Sequence, residues 1–168
     1  MRIRNIATIY LFRDDAILLM HRVGSRLFTG DIWVGIGGHF EPHEMSDPTA
    51  CVLRELTEET GLGAQHLENL RLKYITTRMV QDEIRQQYIF MADLKDKKAP
   101  LGKSDEGELL WVASKDLFHR NMAYSNTHCL KHYLCHRDDP AIYVGALSGC
   151  DGAPSIHFTA LQEYSMAH

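Results

Sequence analysis

The stretch from Ile32 to Leu62 constrains this chain more than any other. It opens with an apolar run, Ile32-Trp33-Val34-Gly35-Ile36, which predicts a short strand that Gly37-Gly38 breaks. A polar loop follows. Asp47-Pro48 then predicts a helix start, because Asp accepts a free backbone N–H and Pro tolerates the first helical position. Gly61 suits the C-terminal stop. Inside this helix lies Arg54-Glu55-Leu56-Thr57-Glu58-Glu59-Thr60. Residues three and four apart share a helical face, so Glu55, Glu58 and Glu59 are expected to project together. Ala50, Leu53, Leu56 and Thr60 fall on the opposite side, toward a core. Arg54 precedes Glu58 by four residues and can pair with it.

Three carboxylates on one face repel each other unless something compensates. One reading is a solvated acidic face, the usual fate of a charge run. The other is a site for a hard divalent cation, and Mg²⁺ prefers carboxylate oxygen. The Gly–Gly turn upstream favours the second reading. It lets backbone approach a ligand closely and can present the Gly37 carbonyl to a metal.

The rest of the chain predicts one mixed α/β domain over residues 1–168. Strands are expected at 3–12 and 16–21 around Arg13-Asp14-Asp15, at 71–80 and 85–94 around Gln81-Asp82-Glu83, and at 109–113. Residues 114–119 and 126–136 read as helical, and 141–147 with 155–163 as a hairpin around Ser148 to Gly152. The formal net charge of −4 argues against a nucleic-acid partner. An acidic chain that binds a phosphate needs a metal ion or a local Arg/Lys cluster between the two. No apolar stretch resembles an export signal or reaches membrane length. Cys51, Cys129, Cys135 and Cys150 show no disulfide spacing. These features together predict a cytoplasmic protein with no membrane partner, a monomer or a homodimer.

The segment from Gly38 to Leu62 resembles the Nudix box, G-x5-E-x7-R-E-U-x-E-E-x-G-U with U a bulky apolar residue. Gly38, Glu44, Arg54, Glu55, Leu56, Glu58, Glu59, Gly61 and Leu62 match by type. One departure is clear: Met45 to Leu53 puts nine residues, not seven, between Glu44 and Arg54. The resemblance implies an α+β fold, with a mixed sheet sandwiched between helices and a C-terminal β-hairpin. It also implies Mg²⁺-dependent hydrolysis of a phosphoanhydride in a small-molecule nucleotide, with Mn²⁺ as a substitute. By position, Glu58, Glu59, Glu55 and the Gly37 carbonyl are expected at the metal. Glu55 would activate water, and Arg54 would hold the carboxylates. Glu106 is the expected further carboxylate from outside the box.

The expected substrate contacts are Arg22, Trp33, Gly38, Glu44, Tyr124 and Asn126, with Phe28 and Trp111 as further aromatics able to stack a base, although a core position is the favoured reading of Trp33 and Trp111. The chain's tail and its Asp31–Gly38 block resemble the 8-oxo-dGTP hydrolase branch, which makes 8-oxo-dGTP one candidate substrate. That branch commonly has Asn after the Trp, where this chain has Val34, and an acidic pair where this chain has Ser125-Asn126. A non-catalytic nucleotide-sensing module of the same fold is the alternative. Finally, His128, Cys129, His132, Cys135 and His136 crowd one predicted helix. They read either as a metal site or as the polar side of an amphipathic helix.

Overall fold

The computed structural model of the chain describes residues 1–24, 30–150 and 152–163, so Phe28 lies outside the described residues. Its centre is β1 (Arg2–Arg13), whose middle is buried on both faces. Ala7, Ile9 and Leu11 join one apolar cluster with Cys51, Val52 and Leu56 of α1 (Pro48–Thr60). Tyr10 and Phe12 join a second cluster with Cys129, Leu130 and Tyr133 of α2 (Tyr124–Cys135). Side chains alternate across a strand, so a strand covered by a helix on each side reads as a continuous apolar run.

The other strands are β2 (Ala16–Val23), β3 (Asp31–Val34), β4 (Ile36–His39), β5 (Leu67–Val80), β6 (Glu83–Leu94), β7 (Glu108–Ala113), β8 (Tyr143–Cys150) and β9 (Ala153–Ala160). They form one mixed sheet in the order β3-β2-β1-β6-β5-β8-β9, with β4 paired to β1 and β7 to β2. The β1–β6 and β5–β8 pairs are parallel. This is the mixed sheet between helices that the sequence predicts, closed at its end by the predicted C-terminal hairpin.

Several boundaries differ for physical reasons. The run 32–36 is not one strand. It splits at Gly35, so that β3 pairs with β2 and β4 with β1. A Cβ on Gly35 would stand 2.6 Å from the Thr8 side chain, which is why the chain crosses there on glycine. Gly37-Gly38 does not end a strand but lies inside β4. The segment 114–119 is a 3₁₀ helix. The terminal hairpin has the expected extent but is shifted toward its turn, its pairing running on to Cys150 and Ala153. In α1, Ala50 is exposed while Glu59 is buried. The buried stripe therefore lies to the Glu59 side of the predicted one, centred on Val52, Leu56 and Glu59.

The α2 histidines are held by the protein itself. His132 Nδ1 meets the Tyr74 hydroxyl at 2.9 Å, and His128 Nδ1 and His136 Nδ1 meet the carbonyls of Tyr124 and His132. Cys129 is buried and Cys135 exposed. Cys129, Leu130 and Tyr133 are buried while Lys131 and Cys135 are exposed, which is the pattern of an amphipathic helix. Cys51, Cys129 and Cys135 are free thiols. No helix among the described residues is long and apolar enough to cross a membrane.

Candidate active site

The two-residue insertion is absorbed before the helix begins. Pro42–Glu44 forms a 3₁₀ turn, and the Asp47 N–H donates to the Glu44 carbonyl at 2.8 Å. Asp47 then caps α1, accepting from the N–H groups of Thr49 and Ala50 at 3.0 and 3.1 Å. The helix face downstream keeps its register because a loop takes up extra length at small entropic cost.

Arg54 organises the face. Its Nε and Nη2 hold Glu44 Oε1 and Oε2 at 2.7 and 3.0 Å. Its Nη1 reaches Glu55 Oε1 at 2.8 Å and Glu58 Oε2 at 3.0 Å, and Nη2 also donates to the His39 carbonyl. Glu44, expected to touch substrate, turns inward instead. It is 1% exposed and is held by Arg54 and by the Glu41 N–H at 2.9 Å. The paired Arg54 pulls its carboxyl down to about 2. Its placement is that of an anchor beneath Arg54.

Glu59 is buried under β4. Its Oε2 accepts the Gly37 N–H at 3.1 Å, and its Oε1 meets Arg22 Nη2 at 3.4 Å. Arg22 also pairs with Glu106. Burial pushes the Glu59 carboxyl up to about 7, against the pull of the Gly37 N–H and Arg22. Burial likewise raises Glu55 above the usual carboxylate range, with Arg54 opposing. Glu58 is largely exposed, so the three carboxylates form a graded set rather than one flush face.

The glycines make room for this set. Gly37 has φ +148°, and a Cβ there would stand 2.1 Å from the Ala7 carbonyl oxygen. A Cβ on Gly38 would stand 2.4 Å from Glu55 Oε1. The two positions therefore respond differently. Gly38→Ala displaces only the end of a side chain and is expected to lower turnover by about 10²-fold with little loss of stability. Gly37→Ala drives into backbone and is expected to destabilise the fold. Steady-state kinetics beside urea melts of both variants check this contrast.

Beside the carboxylates a cleft of about 1010 Å³ opens, lined at one end by Arg22, Gly37, Gly38, Arg54, Glu55 and Glu106. Tyr124 and Asn126 line it from the start of α2. The two tryptophans lie elsewhere, in the core. Trp33 is 7% exposed, stacked on His21 and covered by the Arg120 guanidinium, so it belongs to the core. Trp111 packs against the α1 cluster beneath Arg13. Among the strand residues that line the cleft, the polar side chains of Thr8, Arg78, Arg85 and Gln87 carry no signal in the sequence.

Whether this set suits a divalent cation is a question of donor chemistry. Its donors are carboxylate oxygens, the class Mg²⁺ prefers. Glu59 is a buried carboxylate whose charge the protein under-compensates, and added positive charge would relieve it. Among the described residues no three acidic side chains converge as ligands in this arrangement. Arg54 and Arg22 hold the relevant oxygens instead. The donor types fit a hard cation, and Arg22 and Arg54 are the positive groups that pair with these carboxylates here.

Comparison with known proteins agrees with this geometry. The family model described as the NUDIX domain matches residues 1–133, from β1 into α2. Among solved structures, a MutT protein from Bacillus halodurans superposes with a TM-score of 0.71 at 23% identity, covering 92% of this chain and 97% of that one. A NUDIX hydrolase from Nitrosomonas europaea gives 0.69 at 18% identity, covering 87% and 79%. An Ap4A hydrolase from C. elegans gives 0.64 at 15% identity, covering 82% and 98%. At these identities the likeness concerns the fold, whereas the family model covers most of the sequence. The chain belongs to the Nudix family and is a pyrophosphohydrolase, a hydrolase acting on phosphorus-containing acid anhydrides.

Proposed function

We propose that the chain hydrolyses a phosphoanhydride in a nucleoside triphosphate or a nucleoside diphosphate-linked substrate, with Mg²⁺ as its metal and Mn²⁺ able to replace it. The observation that carries this reading is the pairing of an anchored carboxylate array with an adjoining cleft. Glu55, Glu58, Glu59 and Glu106 would hold the metal, with the Gly37 carbonyl beside them. A divalent cation there supplies neutralisation of charge on the transferring phosphoryl oxygens.

The chain's own groups do the rest. Glu55 Oε1 is fixed by Arg54, which leaves Oε2 to take the proton of the attacking water. Arg22, on the cleft wall, offers a guanidinium to a phosphate in place of Glu106. Asn126 reads the base: its Oδ1 is buried at the cleft without a hydrogen-bond partner, so a donor on the ligand would satisfy it. Tyr124 offers a ring face, already stacked on His128 at 3.8 Å between centroids. An oxidised purine such as 8-oxo-dGTP is one candidate that presents ring N–H donors to such an acceptor.

The test is release of phosphate or pyrophosphate with Mg²⁺ from 8-oxo-dGTP, the ordinary dNTPs and NTPs, ADP-ribose and a dinucleoside polyphosphate. One member is expected to turn over preferentially. Asn126→Ala should raise its KM by about tenfold, the worth of one hydrogen bond to a buried acceptor. Tight binding of one member without turnover of any would instead point to a nucleotide-sensing module.

A further inference from the structure

Arg4, Arg85 and Arg78 stand in one row across three neighbouring strands. Arg4 is the register partner of Arg85 across β1–β6, and Arg85 of Arg78 across β6–β5. Register partners share a face of the sheet, and like charges directly opposite one another are destabilising. A single carboxylate serves the row: Glu83 takes Arg4 Nε at 2.9 Å and Arg85 Nε at 2.7 Å. Arg78 forms no ion pair among the described residues, and its hydrogen bond goes to the Ser125 hydroxyl at 3.4 Å. Arg78 and Arg85 both line the cleft, beside Gln87 and Ser125. Half-burial of Arg78 beside Arg85 costs stability, and among the described residues no carboxylate pairs with Arg78, while Arg85 shares Glu83 with Arg4. Such a breach of local consistency marks a functional position.

Three further observations converge on the same floor. The carboxylates that line the cleft, Glu41, Glu55 and Glu106, come from the β4–α1 side and the segment before β7; none comes from β5, β6 or α2. The first turn of α2 opens onto the floor through Tyr124, Ser125 and Asn126, and its N-terminus carries no side-chain cap. Its leading N–H groups add to the positive potential. The order β4-β1-β6-β5 sets Arg78 three strand spacings across the sheet from Gly38, and the register offset between Ala7 and Arg4 adds three residues along the strand, about 17 Å in all. The cleft volume of about 1010 Å³ also lies at the upper end of small-molecule sites.

We propose that the Arg78–Arg85 floor is a phosphate-binding subsite, and that the substrate class carries a second phosphate on its nucleoside side, remote from the scissile anhydride. This inference rests on the nucleotide reading above. An overall acidic chain that holds a ligand with two anionic ends must compensate each locally. The carboxylate end would do so through a metal, and the far end does so with arginine.

The test compares binding of a nucleoside 5′-monophosphate with that of its 3′,5′-bisphosphate, for adenosine and for guanosine, by calorimetry with Mg²⁺ present. Neither ligand contains an anhydride, so no turnover intervenes. The bisphosphate is expected to bind wild type ~tenfold or more tightly than the monophosphate, an advantage that falls below about threefold in Arg78→Gln. Thermal melts establish that the variant is folded, and Arg85→Gln is expected to give the same loss. Equal binding of the two ligands to wild type would overturn the inference while leaving the nucleotide reading intact, as would an advantage that survives in both variants. If neither ligand binds, the nucleotide reading falls and the subsite with it.

Discussion

Glu55→Gln is expected to lower kcat by about 10²–10⁴-fold, the usual worth of a positioned general base. The substitution keeps the volume and leaves Arg54 an amide oxygen to hold in place of Oε1. What it removes is the basicity of Oε2. Glu55 is suited to the role because burial raises its carboxyl while Arg54 keeps it from rising without limit. KM is expected to change far less than kcat, since the loss falls on the transition state. The acid limb of the pH–rate profile should flatten in the variant. Steady-state kinetics across pH read both effects, and a kcat within a few-fold of wild type would remove Glu55 from the chemistry.

Arg54→Ala is expected to cost stability on the scale of a broken buried ion pair, about 3–5 kcal/mol. The reason is Glu44, whose side chain is 2% exposed and whose oxygens both depend on this guanidinium. Removing Arg54 leaves Glu44 buried and, among the described residues, with only the Glu41 N–H and the Cys51 thiol beside it, neither of which carries a positive charge. The sign of the pH dependence follows. The folded carboxyl titrates at about 2, below its unfolded value of 4.5, so its contribution is present above 4.5 and lost as pH falls toward 2. The stability gap between wild type and Arg54→Ala should therefore be full at pH 7 and narrow in acid. Urea melts at several pH values measure it. A gap that does not depend on pH would mean that Glu44 is not the group Arg54 neutralises.

The helix that carries this chemistry was legible because its signals are local. An Asp cap, a proline behind it and a glycine stop set its bounds, and the structure starts and ends α1 at those residues. The pairing of Arg54 with Glu58 followed from helical spacing. The inward turn of Glu44 was not legible, because it depends on a 3₁₀ turn, Pro42–Glu44, that carries the side chain under Arg54 of the helix. The split at Gly35 was hidden for a similar reason. Five apolar residues in a row read as one strand, and only the choice of two pairing partners divides them. Trp33 could either stack a base or pack in the core, and His21 and Arg120 enclose it, in line with the favoured core reading. The arginine row is the clearest case. Arg4, Arg78 and Arg85 are unremarkable in order along the chain, and only strand register stacks them.

The most direct test of the account is a Mg²⁺ titration of phosphate or pyrophosphate release by wild type and by Glu59→Gln, on whichever nucleotide the panel selects. Wild-type turnover is expected to saturate with Mg²⁺ and to vanish in chelator. Glu59→Gln is expected to need roughly 10–100-fold more Mg²⁺ or to fail to turn over at all. Turnover that persists in chelator, or a Glu59→Gln curve that overlays wild type, would contradict this expectation.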